Sequence, residues 1–209
     1  MTDLRFRPCR ASDVDVALPL IISSGPESFS YVFNDRRDDQ LEGFLRRAYL
    51  AKGSEFSFQQ HIAIEVDGEI MGLGALRFSR QTAGFTLRAL SLMLRHYGPI
   101  AGLRTALRGL RAESVIKPPP SKVAYLYQLG VHPQQRGRGW GRALIAHLIQ
   151  RADDLGYRRV GLSVSVENPR AQTLYEQLGF TVVREHSSQL HSEFGHVPGQ
   201  RYMELALTP

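Results

Sequence analysis

Between a strand-like run (Val123 to Val131) and a helix-like run (Ala143 to Ala152) stands Arg136-Gly137-Arg138-Gly139-Trp140-Gly141-Arg142. These residue types in this layout suit one chemistry, the holding of a phosphate or pyrophosphate. The first NH groups of a helix have no intrahelical partner and lie at the positive end of its dipole. Gly137, Gly139 and Gly141 carry no Cβ to keep a ligand off the backbone, and the arginines between them can pair with phosphate oxygens through bidentate forks. Two familiar nucleotide loops are excluded. No Lys-Ser or Lys-Thr pair follows the glycines, as a Walker A loop requires, and G-x-G-x-G departs from the dinucleotide fingerprint G-x-G-x-x-G. The spacing that fits is Arg-x-x-Gly-x-Gly at Arg136, Gly139 and Gly141.

A second segment carries independent chemistry. After the β-branched run Val160 to Val166 comes Asn168-Pro169-Arg170-Ala171-x-x-Leu174-Tyr175-x-x-Leu178-Gly179-Phe180. Asn168 is a good N-cap, Pro169 a good first helical residue, and Gly179 a helix stop. Ala171, Leu174, Tyr175 and Leu178 form an apolar helical stripe, so Tyr175 read alone is a core tyrosine. Both motifs, in order and at this spacing, make residues 123 to 185 resemble the GNAT superfamily of N-acetyltransferases.

The resemblance implies an α/β fold, a mixed, splayed β-sheet flanked by helices; a basic helical insertion before the central strand falls outside that pattern. It implies acetyl-CoA as acyl donor, lying in a gap between Val123 to Val131 and Arg159 to Val166. The pantetheine would pair with backbone of Leu129, Gly130 and Val131, and the pyrophosphate would sit on Arg136, Gly137, Arg138, Gly139, Trp140, Gly141 and Arg142. Asn168 would orient the cofactor or simply cap its helix. The implied reaction is direct attack by an amine, of a small molecule or a peptide, on the thioester, with Tyr175 as general acid. A phenol of ordinary pKa near 10 keeps its proton at neutral pH and can give it to the leaving sulfur.

The general base is not legible. Several relatives place a carboxylate where this chain has Tyr125. Strand alternation puts Tyr125, Tyr127 and Leu129 on one face and Gln128 on the other, so Tyr125 or Tyr127 could relay a proton through water. Glu65, His61, His191 and His196 are further candidates, each with a packing or surface role as the alternative. His191-x-Glu193-x-x-His196 matches no strong metal motif, and no metal is expected. Cys9, the only cysteine, reads as inert packing at the edge of a first strand.

These groups need a scaffold, and periodicity supplies one. Leu4 and Phe6 alternate with arginines as a strand, Ser12 or Asp13 caps a helix to about Ile22, and Ser24-Gly25-Pro26 breaks it. A helix is expected near Asp38 to Ala51, then a hairpin of Ile62 to Val66 and Glu69 to Phe78 around Asp67-Gly68. Terminal strands are expected near Phe180 to Glu185 and Arg201 to Leu207. With 209 residues, 43% hydrophobic and 22% charged, the chain suits a single domain over 1–209. No apolar run approaches the roughly 18 residues of a membrane span, and Met1 to Arg10 has no apolar leader core, so a cytoplasmic protein without a membrane partner is expected. The oligomeric state stays open, a homodimer included.

The segment 78–120 is the expected insertion. From Arg77 to Lys117 eight bases stand against the single acid Glu113, a local +7 against +6 for the whole chain. Leu87, Leu90, Leu94 and Tyr97, then Leu103, Leu107 and Leu110, follow helical spacing, with Gly98-Pro99 as a break. Arg104, Arg108 and Arg111 share a face: either a solvated or ion-paired surface, or a lid that draws in coenzyme A phosphates or an acidic substrate. Two other classes stand beside the enzyme reading: an acyl-CoA-binding regulatory domain without catalysis, and a basic nucleic-acid binder. Only Phe78, Phe85 and Tyr97 interleave the bases, too few aromatics to favour nucleic acid.

Overall fold

Leu4 and Phe6 alternate with polar neighbours as a strand should, and in the computed structural model, which describes residues 3–35 and 40–207, they lie on β1 (Leu4–Pro8). Three helices follow, α1 (Val14–Ser23), α2 (Pro26–Phe33) and α3 (Gln40–Leu50), then the hairpin β2 (His61–Val66) and β3 (Glu69–Arg77). Next come α4 (Thr82–Tyr97), α5 (Pro99–Ala112), β4 (Ala124–Val131), α6 (Trp140–Asp154), β5 (Arg159–Ser165) and α7 (Pro169–Gln177). β6 (Thr181–His186), the short ribbon β7 (His191–Ser192) and β8 (Gly195–His196), and β9 (Gln200–Ala206) complete the order. The expected helix start at Asp38 lies outside the described residues. α2 was not foreseen: Pro26, read only as a break, occupies a first helical turn, where its missing NH costs nothing.

The sheet runs β1-β2-β3-β4-β5-β9-β6, and every pairing but one is antiparallel. The exception positions the site. β4 and β5 are parallel and register only at Ala124↔Val160 and Tyr125↔Gly161, after which they diverge. Helices cover both faces. Leu18, Ile21, Phe44, Tyr49 and Leu73 build one core with α1 to α3, while Leu126, Leu144, Leu148, Leu162 and Met203 build the other around α6.

The register of β4 is not regular. Leu73 pairs with Gly130 but Ala75 with Tyr127, so β4 carries an extra residue, and Gln128 takes a positive φ of 51°. Such a bulge reverses which way later side chains point. The expected alternation is therefore corrected. Gln128 turns to His61, on the side of Tyr127, while Leu129 joins Leu126 in the core against α6.

α4 and α5 form between β3 and β4, separated at Gly98 (φ 84°) as the sequence foretold. Their leucine stripes face outward, however: Leu87 is 70% exposed, and Leu94, Leu103, Leu107 and Leu110 are also exposed. The buried positions are Phe85, Leu92, Met93 and Tyr97 on α4 and Gly102, Thr105 and Ala112 on α5, so of the expected stripes only Tyr97 is buried. The three arginines part company as well. Arg104 and Arg111 are exposed, but Arg108 is half-buried, donates to Thr105 Oγ1 at 3.2 Å and lies over the Phe194 ring. Among the described residues no helix is long and apolar enough to cross a membrane.

Candidate active site

The glycine turn has the geometry its residues demand. Gly137 (φ 84°) and Gly139 (φ 88°) are left-handed, a conformation that disfavours side chains, and Gly139 is the N-cap of α6. No heavy atom beyond its chain neighbours lies within 4 Å of the point where a Gly139 Cβ would stand, so a ligand can reach the backbone there. The first-turn NH groups of Trp140, Gly141 and Arg142 have no intrahelical acceptor. Two arginines brace the turn: Arg136 Nε donates to the Val131 carbonyl at 3.3 Å, and Arg142 to Gln177 Oε1 at 2.6 Å. Arg138 is exposed, and the Trp140 indole NH is buried without a partner among the described residues. A turn with open NH groups, added guanidinium charge and no Cβ in the way fits a pyrophosphate.

This turn follows β4, whose edge faces the divergence from β5. Beyond Tyr125 the backbone groups of β4 on that side have no β5 partner, Leu129, Gly130 and Val131 among them. A cavity of about 630 Å³ opens at the divergence, and Tyr125, Leu129, Ser163, Asn168 and Tyr175 all line it. Asn168 Oδ1 accepts from the Ala171 NH at 3.1 Å, so the capping role is real and Nδ2 is the donor left over. Tyr175 is 9% exposed, and burial pushes its hydroxyl up to about 12, well above the ordinary phenol value. Burial raises Tyr125 too, opposed by the neighbouring Ser163. Both phenols therefore hold their protons throughout the neutral range.

The far half of the cavity contains residues that sequence reasoning passed over. Glu55 lies in the aperiodic loop before β2, and its Oε2 is 3.0 Å from Arg77 NH1 at the end of β3. Burial, opposed by Arg77 and aided by Glu113, holds the Glu55 carboxyl above the usual carboxylate range. Tyr127 donates to the Glu55 carbonyl at 2.9 Å, which fixes the loop against β4. In the sequence Arg77 reads only as charge, and Glu55 carries no signal. No local pattern marks either, because they meet across 22 positions of sequence.

The other candidate bases lie elsewhere. Glu65 is 2.6 Å from Arg7, which also pairs with Asp13, so it is held in an ion-pair network between β1 and β2 rather than in the cavity. His61 is fully buried, with Nδ1 2.9 Å from the Ser57 carbonyl oxygen and Nε2 2.8 Å from Gln128 Oε1. Burial lowers its pKa, so the ring is neutral and braces the bulge. His191 and His196 stack on the ribbon, where His196 Nε2 is 3.0 Å from Glu167. Among the described residues no three His, Cys, Asp or Glu side chains are placed to hold a metal ion. Cys9 is buried and its thiol is raised to about 12 by burial, which suits packing.

Comparisons with known proteins bear on the family and the fold. A model of the acetyltransferase (GNAT) family matches residues 26–180. Mycothiol acetyltransferase of Beutenbergia cavernae is 42% identical over 78 residues, which cover 37% of this chain and 26% of that protein. The L-amino acid N-acyltransferase MnaT of Escherichia coli is 34% identical over 77 residues, 37% of this chain and 44% of that one. The chain thus spans less than half the length of these curated relatives. Among solved structures, an N-acetyltransferase from Staphylococcus aureus Mu50 superposes with a TM-score of 0.71 at 13% identity, covering 96% of this chain and all of that one. The yncA putative acetyltransferase from Salmonella typhimurium, solved with its cofactor acetyl-CoA, gives 0.55 at 19% identity over 99% of this chain and 95% of the other.

Proposed function

The chain belongs to the GNAT acetyltransferase family, and from that premise we propose that it moves the acetyl group of acetyl-CoA to the nitrogen of an amine by direct attack. The observation that carries this is the junction of two features: the divergence of β4 from β5 after Tyr125 and the open N-terminus of α6 beside it. In this reading the α6 first turn and Arg138 hold the pyrophosphate, and the unpaired edge of β4 from Leu129 to Val131 holds the pantetheine. Asn168, through Nδ2, steadies the same arm. The acetyl thioester then reaches the cavity that Tyr125 and Tyr175 line.

Tyr175 is the general acid of the proposal. A hydroxyl raised to about 12 stays protonated at any pH where the enzyme works, so it can always supply the proton that the departing sulfur needs. Tyr125, raised likewise, can pass a proton along but cannot store the one an amine must lose. In this reading backbone NH groups along the β4 edge stabilise the developing oxyanion. We treat 1–209 as a single catalytic unit, with 78–120 as an insertion roofing the acceptor side, and place it in the cytoplasm, a setting the free thiol of Cys9 suits.

Gly139→Val tests the cofactor site. A β-branched residue at φ 88° is strained and its methyls enter the approach to the turn, so acetyl-CoA binding by calorimetry should fall at least about 100-fold with the fold retained. Undiminished affinity in the folded variant would take the turn out of the site. Release of CoA from acetyl-CoA in the presence of amines separates the enzyme from an acyl-CoA-binding domain without catalysis.

A further inference from the structure

The cavity has two unlike halves. The half between β4 and β5 presents polar groups from Ser163, Asn168 and Tyr175. The other half is walled by α2, α4 and the loop before β2 through Phe29, Val32, Phe33, Phe56, Phe85 and Met93. Aromatic and aliphatic walls of this extent hold an apolar body, and the whole cavity has the size of an ordinary small-molecule pocket.

The charges in that lining do not balance. Glu27, Glu55, Glu113 and Glu167 line the cavity against Arg77 and Lys117, and Glu27, Glu167 and Lys117 are exposed at its rim. Inside, Glu55 and Glu113 face each other's field with Arg77 as the single guanidinium, already paired to Glu55. One negative charge is left uncompensated beside an apolar wall. A cation relieves it; a carboxylate would worsen it. A second cation on the same molecule would have to enter the apolar half without a partner, which is costly.

Resting on the acetyl-transfer reading above, we infer that the acceptor is a monoamine carried on an apolar body, taken up as its ammonium beside Glu55, and that Glu55 is the base that deprotonates it. Glu55 keeps 23% of its side chain accessible and lines the cavity that Tyr175 also lines, so it is open to the ligand. Its carboxyl, lifted by burial and by Glu113, is a better proton acceptor than an ordinary carboxylate.

The step balances. The ammonium gives a proton to the Glu55 carboxylate, and the neutral nitrogen forms a bond to the acetyl carbon. The carbon–sulfur bond breaks, and sulfur leaves with the Tyr175 proton. The nitrogen, now bearing one proton too many, returns it through water to Tyr175. Glu55 releases its proton to solvent, so one amide, one free CoA thiol and one proton are the products.

The experiment measures CoA release from acetyl-CoA by the full chain with 2-phenylethylamine, methylamine, spermidine and phenylalanine, with acetyl-CoA affinity by calorimetry alongside. The expected result is a kcat/KM for 2-phenylethylamine about tenfold or more above each of the others. Glu55→Gln should lower that value by about 10²- to 10⁴-fold, retain acetyl-CoA affinity, and lose the low-pH limb of the rate profile. Because Glu55→Gln strands Arg77 and can weaken the fold, Ala89→Phe, which fills the α4 wall, supplies a second reading: the ratio of 2-phenylethylamine to methylamine activity should fall about tenfold. Spermidine or phenylalanine equalling 2-phenylethylamine, parental turnover in Glu55→Gln, or an unchanged ratio in Ala89→Phe would each overturn the inference. Acetyl-CoA that binds but is consumed with none of these amines overturns the acceptor class alone. Failure of the parent to bind acetyl-CoA removes the acetyl-transfer reading and this inference with it.

Discussion

The Leu20 carbonyl oxygen occupies the place that a side chain on Gly130 would take. The Leu20 carbonyl carbon and Cα crowd the same point, at 2.8 and 3.1 Å, so α1 lies directly on the β4 backbone. Since every obstructing atom is main chain, no rotamer change can make room. Gly130→Ala must push α1 off the sheet and should cost about 1–3 kcal/mol, the usual price of overpacking. Chemical denaturation of parent and variant measures it. Equal midpoints would mean that α1 is loosely docked.

Tyr175→Phe keeps the ring that packs against Phe180 and removes only the hydroxyl. Acetyl-CoA should bind as before while turnover falls about 10²- to 10⁴-fold. The pH profile carries a further expectation. With the hydroxyl raised to about 12, Tyr175 causes no loss of rate near the ordinary phenol value of about 10, so any fall there belongs to another group and persists in the variant. Steady-state rates across pH, with acetyl-CoA affinity as control, decide both points.

His61 makes stability depend on pH. Burial lowers its pKa, against the Ser57 and Gln128 hydrogen bonds that raise it, so the folded protein takes up this proton less readily than the unfolded chain does. Its contribution is present above the unfolded value of 6.5 and is lost as pH falls below it, by up to about 1.4 kcal/mol per pH unit. His61→Gln retains polar contacts without titrating. Denaturation curves through this window should show a shallower pH slope for the variant, and parallel slopes would mean that the folded ring protonates as freely as the unfolded one.

The arginines of α5 divide by what they touch. Arg104 and Arg111 are exposed, so neutralising both should slow acetyl-CoA association and flatten its dependence on salt, with little effect on stability. Arg108 holds Thr105 and lies 5.5 Å from the Phe194 ring centroid, so Arg108→Gln should cost about 0.5–2 kcal/mol of stability instead. Stopped-flow association and thermal unfolding of the two variants separate the roles.

The sequence by itself determined what depends on a few consecutive residues. The glycine turn before α6, the Asn168 cap, the Gly98 break and the Asp67-Gly68 hairpin were legible because hydrogen bonds and φ preferences act over one to four positions. Period and turn residues gave the order of the main strands and helices but not α2 or the β7–β8 ribbon, and the two motifs carried the family. Tertiary structure decided the rest. The extra residue at Gln128 appears only when β3 is laid beside β4, and it alone sends Leu129 to the α6 core. Which face of α4 and α5 is buried depends on what α2 and α3 offer them, and so the leucines that read as core lie outside. Glu55 and Arg77 meet because the loop before β2 folds over the end of β3, and their charges matter because an apolar wall surrounds them. Local chemistry repeats along a chain and can be read there; a desolvated pair exists only once the fold has excluded water.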